Sequence, residues 1–332
     1  METKIETKRK KEGMEFLNKI ILTDCIEGIK QMPDSSVDCC ISSPPYWGLR
    51  DYGVDGQIGL EENYSEFIAK LIKLYREIQR VLKPTGTCFV NLGDTYAGSG
   101  SGTTKNADTS KYVENSKQVY VLPNGTAKAS KFRGTNLNKS LLMIPERFAI
   151  GMIDAGWILR NQIIWHKPNQ MPSSATDRFT VDFEKIFFFV KQSTGYYFEQ
   201  QLEPYTKPLD RWGGDDLEAN GNSTWDNGTG QTTYRNRNMR PNPDGKNMRT
   251  VWSINTEPFP EAHFATYPEK LVKRMIEAGC PENGLVLDPF MGAGTTAVVA
   301  KKLNRNYTGF ELNPKYKLIA ENRLIKEVGL FL

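Results

Sequence analysis

Four consecutive residues, Ser43, Pro44, Pro45 and Tyr46, have groups suited to holding a planar amine. They follow a short apolar run at residues 37–41 that reads as a buried strand, and ligands of open α/β sheets bind where such strands end. Two prolines in succession cannot continue a β-ladder, because neither has an N–H, so their carbonyls stay free to accept hydrogen bonds. These acceptors beside a stacking ring suit a nucleobase with an exocyclic amine, and an ordinary loop that ends the strand is the alternative.

A glycine-rich turn lies far downstream. An apolar run ends at Asp288, and Gly292 and Gly294 allow a tight turn and the close approach of a ligand to the backbone. Two residues after the turn suit the N-cap of a helix, namely Thr295 and Thr296. The next predicted strand ends in Glu311, where a carboxylate can accept from both hydroxyls of a ribose. The pattern favours a nucleoside-type cofactor over a tight turn that binds nothing.

Together, SPPYW at residues 43–47 and DPFMGAGTT at residues 288–296 resemble the motifs of DNA amino-methyltransferases that use S-adenosylmethionine. The catalytic motif comes first, as in the beta class of that family, and the resemblance covers roughly residues 18–320. It implies a Rossmann-like α/β fold with circularly permuted motif order. The sheet would be mostly parallel with helices on both faces, and would carry inserted loops or a small recognition region.

The resemblance also implies roles for individual residues. Asp24, at the end of the first predicted strand, would accept a hydrogen bond from the adenine amine of the cofactor. The alternative is that Asp24 caps a helix and does not contact the cofactor. The segment at residues 263–271 would line the part of the site that holds the methionine end of the cofactor. The alternative is that this segment simply leads into a helix. The full set of expected cofactor-binding residues is Asp24, Phe264, Ala265, Thr266, Asp288, Pro289, Phe290, Gly292, Gly294, Thr295, Thr296 and Glu311.

The expected chemistry is direct methyl transfer to the amine of a base flipped out of the duplex. The Ser43 hydroxyl and the Pro44 carbonyl would accept the amine protons, while Tyr46 would stack on the base. Serine before the prolines is more typical of cytosine-N4 enzymes in the family, so cytosine N4 is favoured and adenine N6 is the alternative. Methylation of cytosine carbon 5 is rejected, because it needs a Pro-Cys motif and here Cys280 precedes Pro281.

Basic residues concentrate in two loop-like regions, at 101–140 and 231–250, which suits contact with phosphates. Solvated surface loops are the alternative. The candidate DNA-binding residues are Lys131, Arg133, Arg235, Arg237, Arg240 and Arg249. Double-stranded DNA is the expected partner; an RNA or protein-amide methyltransferase and an inactive binding module remain alternatives.

The expected organisation has four parts: a flexible basic tail at 1–17, the catalytic half at 18–202 with a polar insertion at 96–138, a candidate target-recognition region at 203–250, and the cofactor-binding half at 251–332. Sequence does not decide between a monomer and a homodimer, nor whether a cognate restriction endonuclease exists.

Composition limits the other classes of function. An odd count of five cysteines argues against a disulfide framework, and with only two histidines and no CxxC pair we expect no metal site. No apolar run is long enough to span a bilayer, and the N-terminus lacks the apolar core of a secretory signal. These observations favour a protein of the reducing cytoplasm.

Hydrophobic periodicity predicts alternating strands and helices. The predicted strands are 20–23, 37–41, 87–92, 157–165, 185–191, 285–287 and 307–310, and the predicted helices are 64–81, 142–155 and 269–278. The run at 185–191 is apolar on both faces, so we expect a central strand whose phenylalanines belong to the core.

Overall fold

The computed structural model describes residues 15–49, 52–97, 137–205, 242, 244–257 and 266–329. The chain divides into two compact units, one made of Met1–Glu199 with Thr250–Leu332 and the other of Gln200–Arg249.

The first unit contains the described helices and most of the described strands. Its strands are β1 (Lys19–Leu22), β2 (Val37–Ser42), β3 (Leu82–Leu92), β4 (Ile158–His166), β5 (Phe183–Val190), β8 (Val251–Ser253), β9 (Leu285–Asp288) and β10 (Asn306–Glu311). Its helices are α1 (Cys25–Lys30), α2 (Tyr64–Val81), α3 (Ile144–Asp154), α4 (Glu269–Gly279), α5 (Thr295–Lys302) and α6 (Pro314–Val328).

These strands form one sheet in the order β1-β10-β9-β2-β3-β5-β4-β8. Neighbouring strands are parallel except that β5 runs antiparallel to both β3 and β4. The expected mostly parallel sheet is therefore confirmed. Because β5 is reversed, its amino end lies at the same edge of the sheet as the carboxyl ends of β2, β3 and β9.

Helices cover both faces of the sheet, as expected for a Rossmann-like fold. Cys88 and Val90 of β3 belong to the core cluster that α2 and α3 share. The alternate residue Thr87 points the other way, where its Oγ1 donates to the Gly279 carbonyl at the end of α4 at 2.8 Å. This alternation follows from the two-residue period of a strand, so one strand anchors two helical layers.

The helix predicted at 64–81 is confirmed with the same bounds. Its recurring apolar residues are buried because they share one face, and these are Phe67, Leu71, Leu74, Ile78 and Val81. The helix ends at Val81 because the next residue, Leu82, adopts an extended conformation.

Most predicted strands match to within one residue at each end, and larger differences are found at the starts of β3 and β5. Leu82 already pairs with Val37, and pairing resumes at Thr87 opposite Cys39, so residues 83–86 form a bulge inside β3 that the sequence reads as a simple stop. At the other strand, β5 begins at Phe183 rather than at residue 185. It lies between β3 and β4, and its ring at Phe188 stacks on Phe89 with centroids 4.6 Å apart, which confirms a central strand with core phenylalanines.

The second unit contains a short antiparallel pair, β6 (Leu202–Glu203) and β7 (Lys246–Asn247). Within it, the Arg249 guanidinium donates to the Glu203 carboxylate at 2.6 Å. In the described part of the chain, no helix is long and apolar enough to cross a membrane.

Candidate active site

The turn after β2 is held from both sides. Ser42, the last residue of the strand, is buried, and its hydroxyl lies 2.6 Å from the Tyr75 hydroxyl of α2. On the far side, Trp47 is buried and its indole N–H donates to the Glu61 carbonyl at 3.0 Å. Between these anchors, all four predicted catalytic residues line one cavity, namely Ser43, Pro44, Pro45 and Tyr46.

The turn after β9 is organised by a buried carboxylate. Asp288 accepts hydrogen bonds from the Phe290 amide at 2.9 Å, the Tyr267 hydroxyl at 2.9 Å and the Thr296 hydroxyl at 2.5 Å. Burial raises the pKa of Asp288 to about 6, and these three donors oppose the rise. Asp288 is 1% exposed, and its three donors tie the turn to the start of α5 and to Tyr267, which precedes α4.

Backbone conformation completes this turn. Gly292 and Gly294 have φ values of 53° and 79°, in the left-handed region that glycine favours. A Cβ on Gly294 would lie 2.8 Å from the Cβ of Ala320 in α6, whereas one on Gly292 would meet, among the described residues, only the Phe290 carbonyl oxygen at 3.8 Å. Space is therefore open in front of Gly292, which lines the cavity.

The two threonines after the turn are not caps, which corrects the prediction. Gly294 occupies the N-cap of α5, and both Thr295 and Thr296 are helical residues with buried hydroxyls. Thr295 lines the cavity and its hydroxyl accepts from the buried Arg323 of α6 at 2.8 Å. Thr296 does not line the cavity, because its hydroxyl is directed to Asp288.

Glu311 ends β10 beside the glycine turn. One carboxylate oxygen accepts from the Gly292 amide at 2.8 Å and the other from the Asn313 amide at 2.7 Å. Burial raises the pKa of Glu311 above its ordinary value, and those amides oppose the rise. The side chain lines the cavity, and each oxygen keeps lone pairs for a further donor.

Asp24 both caps a helix and lines the cavity. It follows β1, and its Oδ1 accepts from the Ile26 amide at 2.9 Å and the Glu27 amide at 3.1 Å at the start of α1. The capping alternative and the predicted site are thus compatible, because Asp24 caps the helix and also lines the cavity.

Strand order explains why these turns meet. β2 pairs directly with β9 and β10 pairs with both β9 and β1, so their carboxyl ends lie side by side. The cavity that they open on has a volume of about 720 Å³. Tyr52 and Tyr316 are among its lining residues, and their rings meet edge to face with centroids 6.2 Å apart.

The residues present fit the cofactor that the resemblance implies. The open space at Gly292 suits close approach of a ligand to the backbone, and the partly buried carboxylates of Glu311 and Asp24 are acceptors for hydroxyl and amine donors. Of the other predicted cofactor residues, Thr266, Pro289 and Phe290 also line the cavity, whereas Asp288, Gly294 and Thr296 lie behind it and hold its shape.

Sequence reasoning missed a polar group at the catalytic end. Glu184 of β5 lines the cavity and accepts from the Tyr46 hydroxyl at 2.5 Å, from the Asn91 amide at 3.0 Å and from the Lys167 ammonium. The available signal is an acidic residue at the second position of a strand that is apolar from Ile186 onward. The predicted strand starts one residue later, at Lys185, and so leaves Glu184 out.

Several predicted site residues lie outside the described residues, and these are Phe264, Ala265, Lys131, Arg133, Arg235, Arg237 and Arg240. Arg249 is described and is 70% exposed while it pairs with Glu203. Within the described ranges, no group of three or more histidine, cysteine, aspartate or glutamate residues is arranged to hold a metal ion.

Comparison with known proteins agrees with this geometry. A family model described as DNA methylase, of the N6/N4 type, matches residues 37–322. The chain is 37% identical to the type II methyltransferase M.SmaI of Serratia marcescens over 309 residues, covering 93% of this chain and 91% of the relative. It is 38% identical to the type II methyltransferase M.Cfr9I of Citrobacter freundii over 301 residues, covering 91% and 85%.

Solved structures show the same fold. The PvuII DNA methyltransferase, described as cytosine-N4-specific, superposes with a TM-score of 0.58 at 18% identity, covering 92% of this chain and 85% of that one. A putative DNA modification methylase of Thermus thermophilus, solved with S-adenosyl-L-methionine, superposes with a TM-score of 0.54 at 23% identity, covering 93% and 94%. The family match, which spans both turns of the cavity, identifies the chain as a member of the S-adenosylmethionine-dependent N6/N4 DNA methyltransferases, in the beta arrangement.

Proposed function

We propose that the protein methylates the N4 amine of a cytosine that is flipped out of duplex DNA at a specific sequence. The observation that carries the proposal is that the catalytic turn, from Ser43 to Tyr46, opens on the same cavity as Gly292 and Glu311. An amine held at the first turn would therefore share one cavity with a cofactor held at the second.

S-adenosylmethionine, when bound, supplies a methyl group on a sulfonium centre, which an amine nitrogen can attack directly. The chain's part is to prepare the amine. In the proposed complex the Ser43 hydroxyl and the Pro44 carbonyl accept hydrogen bonds from its two N–H groups, which frees the nitrogen lone pair from the ring. As the new N–CH3 bond forms, the S–CH3 bond would break with its electrons left on sulfur, and one amine proton would leave to solvent. Stacking on Tyr46 holds the base, a contact worth about 1–3 kcal/mol. Most of the rate gain then comes from orientation.

The choice of cytosine rests on Ser43. A serine hydroxyl can accept from the amine or donate to the ring nitrogen beside it, and cytosine N4 is the target that this residue favours in the family. Adenine also presents an amine next to a ring acceptor. Methylation at adenine N6 is therefore the alternative outcome, and it would leave the fold and the transfer step unchanged.

Sequence recognition is proposed to come from the region 203–250 and from the basic residues around it. Arginine bidentate to guanine is the commonest specific contact in DNA complexes, while contact with phosphate only positions the protein. The proposed DNA-contacting residues are Lys131, Arg133, Arg235, Arg237, Arg240 and Arg249. A cognate endonuclease is proposed because the relatives M.SmaI and M.Cfr9I are type II methyltransferases. A cytoplasmic location stays a prediction, and both a monomer and a homodimer stay open.

Nucleoside mass spectrometry tests this function. The purified protein is incubated with S-adenosylmethionine and unmethylated DNA, and the digest is searched for N4-methylcytosine and N6-methyladenine. We expect N4-methylcytosine. N6-methyladenine alone would overturn the choice of base, and neither product on varied DNA would overturn DNA as the substrate.

Adjacent serines supply a matched control. Ser43 lines the cavity, and Ser43→Ala removes the hydroxyl that is proposed to accept from the amine, so we expect lower turnover with little change in stability. Ser42→Ala removes a buried hydroxyl that bonds Tyr75, so we expect a loss of about 1–2 kcal/mol of unfolding free energy and a smaller effect on turnover. Equal effects of the two changes on turnover would argue against a catalytic role for the Ser43 hydroxyl.

A further inference from the structure

One carboxylate joins three strands to the catalytic turn. Glu184 on β5 is opposite Trp165 on β4, and Asn91 on β3 is opposite Ile186, two residues further along β5. Directly paired residues share a face of the sheet, as do residues two apart, so Asn91, Glu184 and Trp165 project from one face. That face opens on the cavity, which all three residues line.

The donors around Glu184 come from separate parts of the chain. The Tyr46 hydroxyl and the Asn91 amide both reach Oε2, at 2.5 and 3.0 Å, while the Lys167 ammonium reaches Oε1. The side chains of Lys167 and Glu184 are only 12% and 16% exposed. Hydrogen bonds to a charged acceptor in such a partly desolvated site are stronger than those between neutral groups.

Lys167 is itself fixed in place. Its ammonium lies 4.4 Å from the centroid of the Trp165 ring, a cation–π distance. The Trp165 indole N–H in turn donates to the Ile254 carbonyl at 2.8 Å, just after β8. The carboxylate is therefore supported by side chains that have their own partners.

The Tyr46 ring is held at its edge as well as at its hydroxyl. A Cβ on Gly93 would lie 2.4 Å from Cε2 of Tyr46, so the ring packs directly on the backbone that follows β3. Burial raises the pKa of Tyr46 well above its ordinary value, and Glu184 adds to the rise. The phenol consequently stays protonated and donates to the carboxylate at neutral pH.

We propose that Glu184 is a positioning residue for the target base: by holding the Tyr46 hydroxyl, with Asn91 and Lys167 holding Glu184, it sets the plane of the ring on which the flipped base stacks. The inference rests on the proposed function and deepens it. When Glu184 already holds the Tyr46 ring in the orientation that the base needs, the ring does not have to be ordered as the base enters. The better orientation of the base then raises kcat.

A double-mutant cycle tests the proposal. Tyr46→Phe and Glu184→Gln weaken the same contact from opposite sides, so each should lower kcat by about tenfold and leave KM for DNA and the affinity for S-adenosylmethionine within about twofold. Because both changes remove the same contact, kcat of the double variant should lie within about twofold of kcat of the slower single variant. If the double variant instead lost kcat by the product of the two single losses, the two residues would act independently and the proposal would be overturned.

A matched control removes the same charge two residues away. The Asp182 carboxylate lies 3.5 Å from the His166 ring nitrogen and is half exposed, and in the structure its ring partner is that histidine rather than Tyr46. Asp182→Asn should keep the parental kcat. If Asp182→Asn lowered kcat as much as Glu184→Gln does, the negative charge at the start of β5 would matter rather than the contact with Tyr46.

A second readout does not depend on DNA methylation. With 3-fluorotyrosine at position 46, the fluorine resonance of the free protein should be displaced or broadened in Glu184→Gln but not in Asp182→Asn. An unchanged resonance in Glu184→Gln would overturn the proposal. If the parent protein methylates no DNA, the proposed function fails, yet this spectrum still reports whether Glu184 holds the ring, so the two failures are distinguishable.

Discussion

The turn after β9 and the turn after β2 reach one cavity from adjacent strands, but different interactions hold them. The β9 turn takes its backbone shape from two glycines of positive φ and from buried Asp288, which accepts from an amide two residues on, while Glu311 of the neighbouring strand accepts from the Gly292 amide. The β2 turn contains two prolines, and its working ring is held by Glu184, a residue 138 positions away.

Because different interactions hold the two turns, substitutions in them should have different effects on stability and on function. A turn built from backbone conformation fails when the backbone can no longer adopt it, which lowers stability and cofactor binding together. A turn whose prolines are rigid but whose ring depends on a distant carboxylate can lose its function while it keeps its fold. The predictions that follow test this separation, beginning with the largest expected effect.

Gly294→Ala should be the most damaging change. It places a Cβ at a φ of 79° and 2.8 Å from the Ala320 Cβ. Left-handed strain and overpacking against α6 together should lower the free energy of unfolding by about 2–4 kcal/mol, measured by urea denaturation.

Gly292→Ala is the matched control for that change. Its φ is 53° and the space beside it is open, so the loss of stability should be about 1 kcal/mol. Since Gly292 lines the cavity, its variant should instead weaken S-adenosylmethionine binding, measured by calorimetry. Equal losses of stability in the two variants would contradict the role assigned to Ala320.

Tyr46→Ala should affect the other turn by removing the ring on which the base is proposed to stack. We expect kcat to fall by roughly ten- to a hundredfold, which corresponds to about 1–3 kcal/mol of lost stacking. The affinity for S-adenosylmethionine should stay near that of the parent, because the carboxylates proposed to bind the cofactor, Asp24 and Glu311, follow or end other strands. A parallel loss of cofactor affinity would show that the two turns are not separable.

Asp288 should give the smallest effect, and it depends on pH. Its folded-state pKa of about 6 lies above the ordinary value of 3.8, so the folded protein binds a proton more readily than the unfolded chain. Stability from this group is full below pH 4 and is lost as pH rises through 6, by about 1 kcal/mol between pH 5 and pH 7.

Asp288→Asn removes this titration and keeps a carbonyl oxygen for the Phe290 amide. The difference in unfolding free energy between parent and variant should therefore shift by about 1 kcal/mol from pH 5 to pH 7, with the parent relatively more stable at pH 5. A constant difference across this range would contradict the raised pKa.

Much of the fold could be predicted because its signals are local. The helix at 64–81 shows a clear 3.6-residue period, and β9 with its glycines is contained within a dozen residues. The bulge at residues 83–86 could not be predicted, because it exists only in the pairing of β3 with β2. The start of β5 was placed too late for a similar reason, since Phe183 is half exposed and its ladder partner, His166, is on another strand.

By itself, the sequence determined the chemistry available to this protein: acceptors and a ring at 43–46, a glycine turn at 292–294, and acids at the ends of two strands, Asp24 and Glu311. Each of these is recognisable because its residues are neighbours in the chain. Only the tertiary structure decided that Asp288 and Thr296 hold the cavity from behind and that Glu184 faces Tyr46. Side-chain contacts across strands depend on strand order and register, and neither is encoded in local spacing.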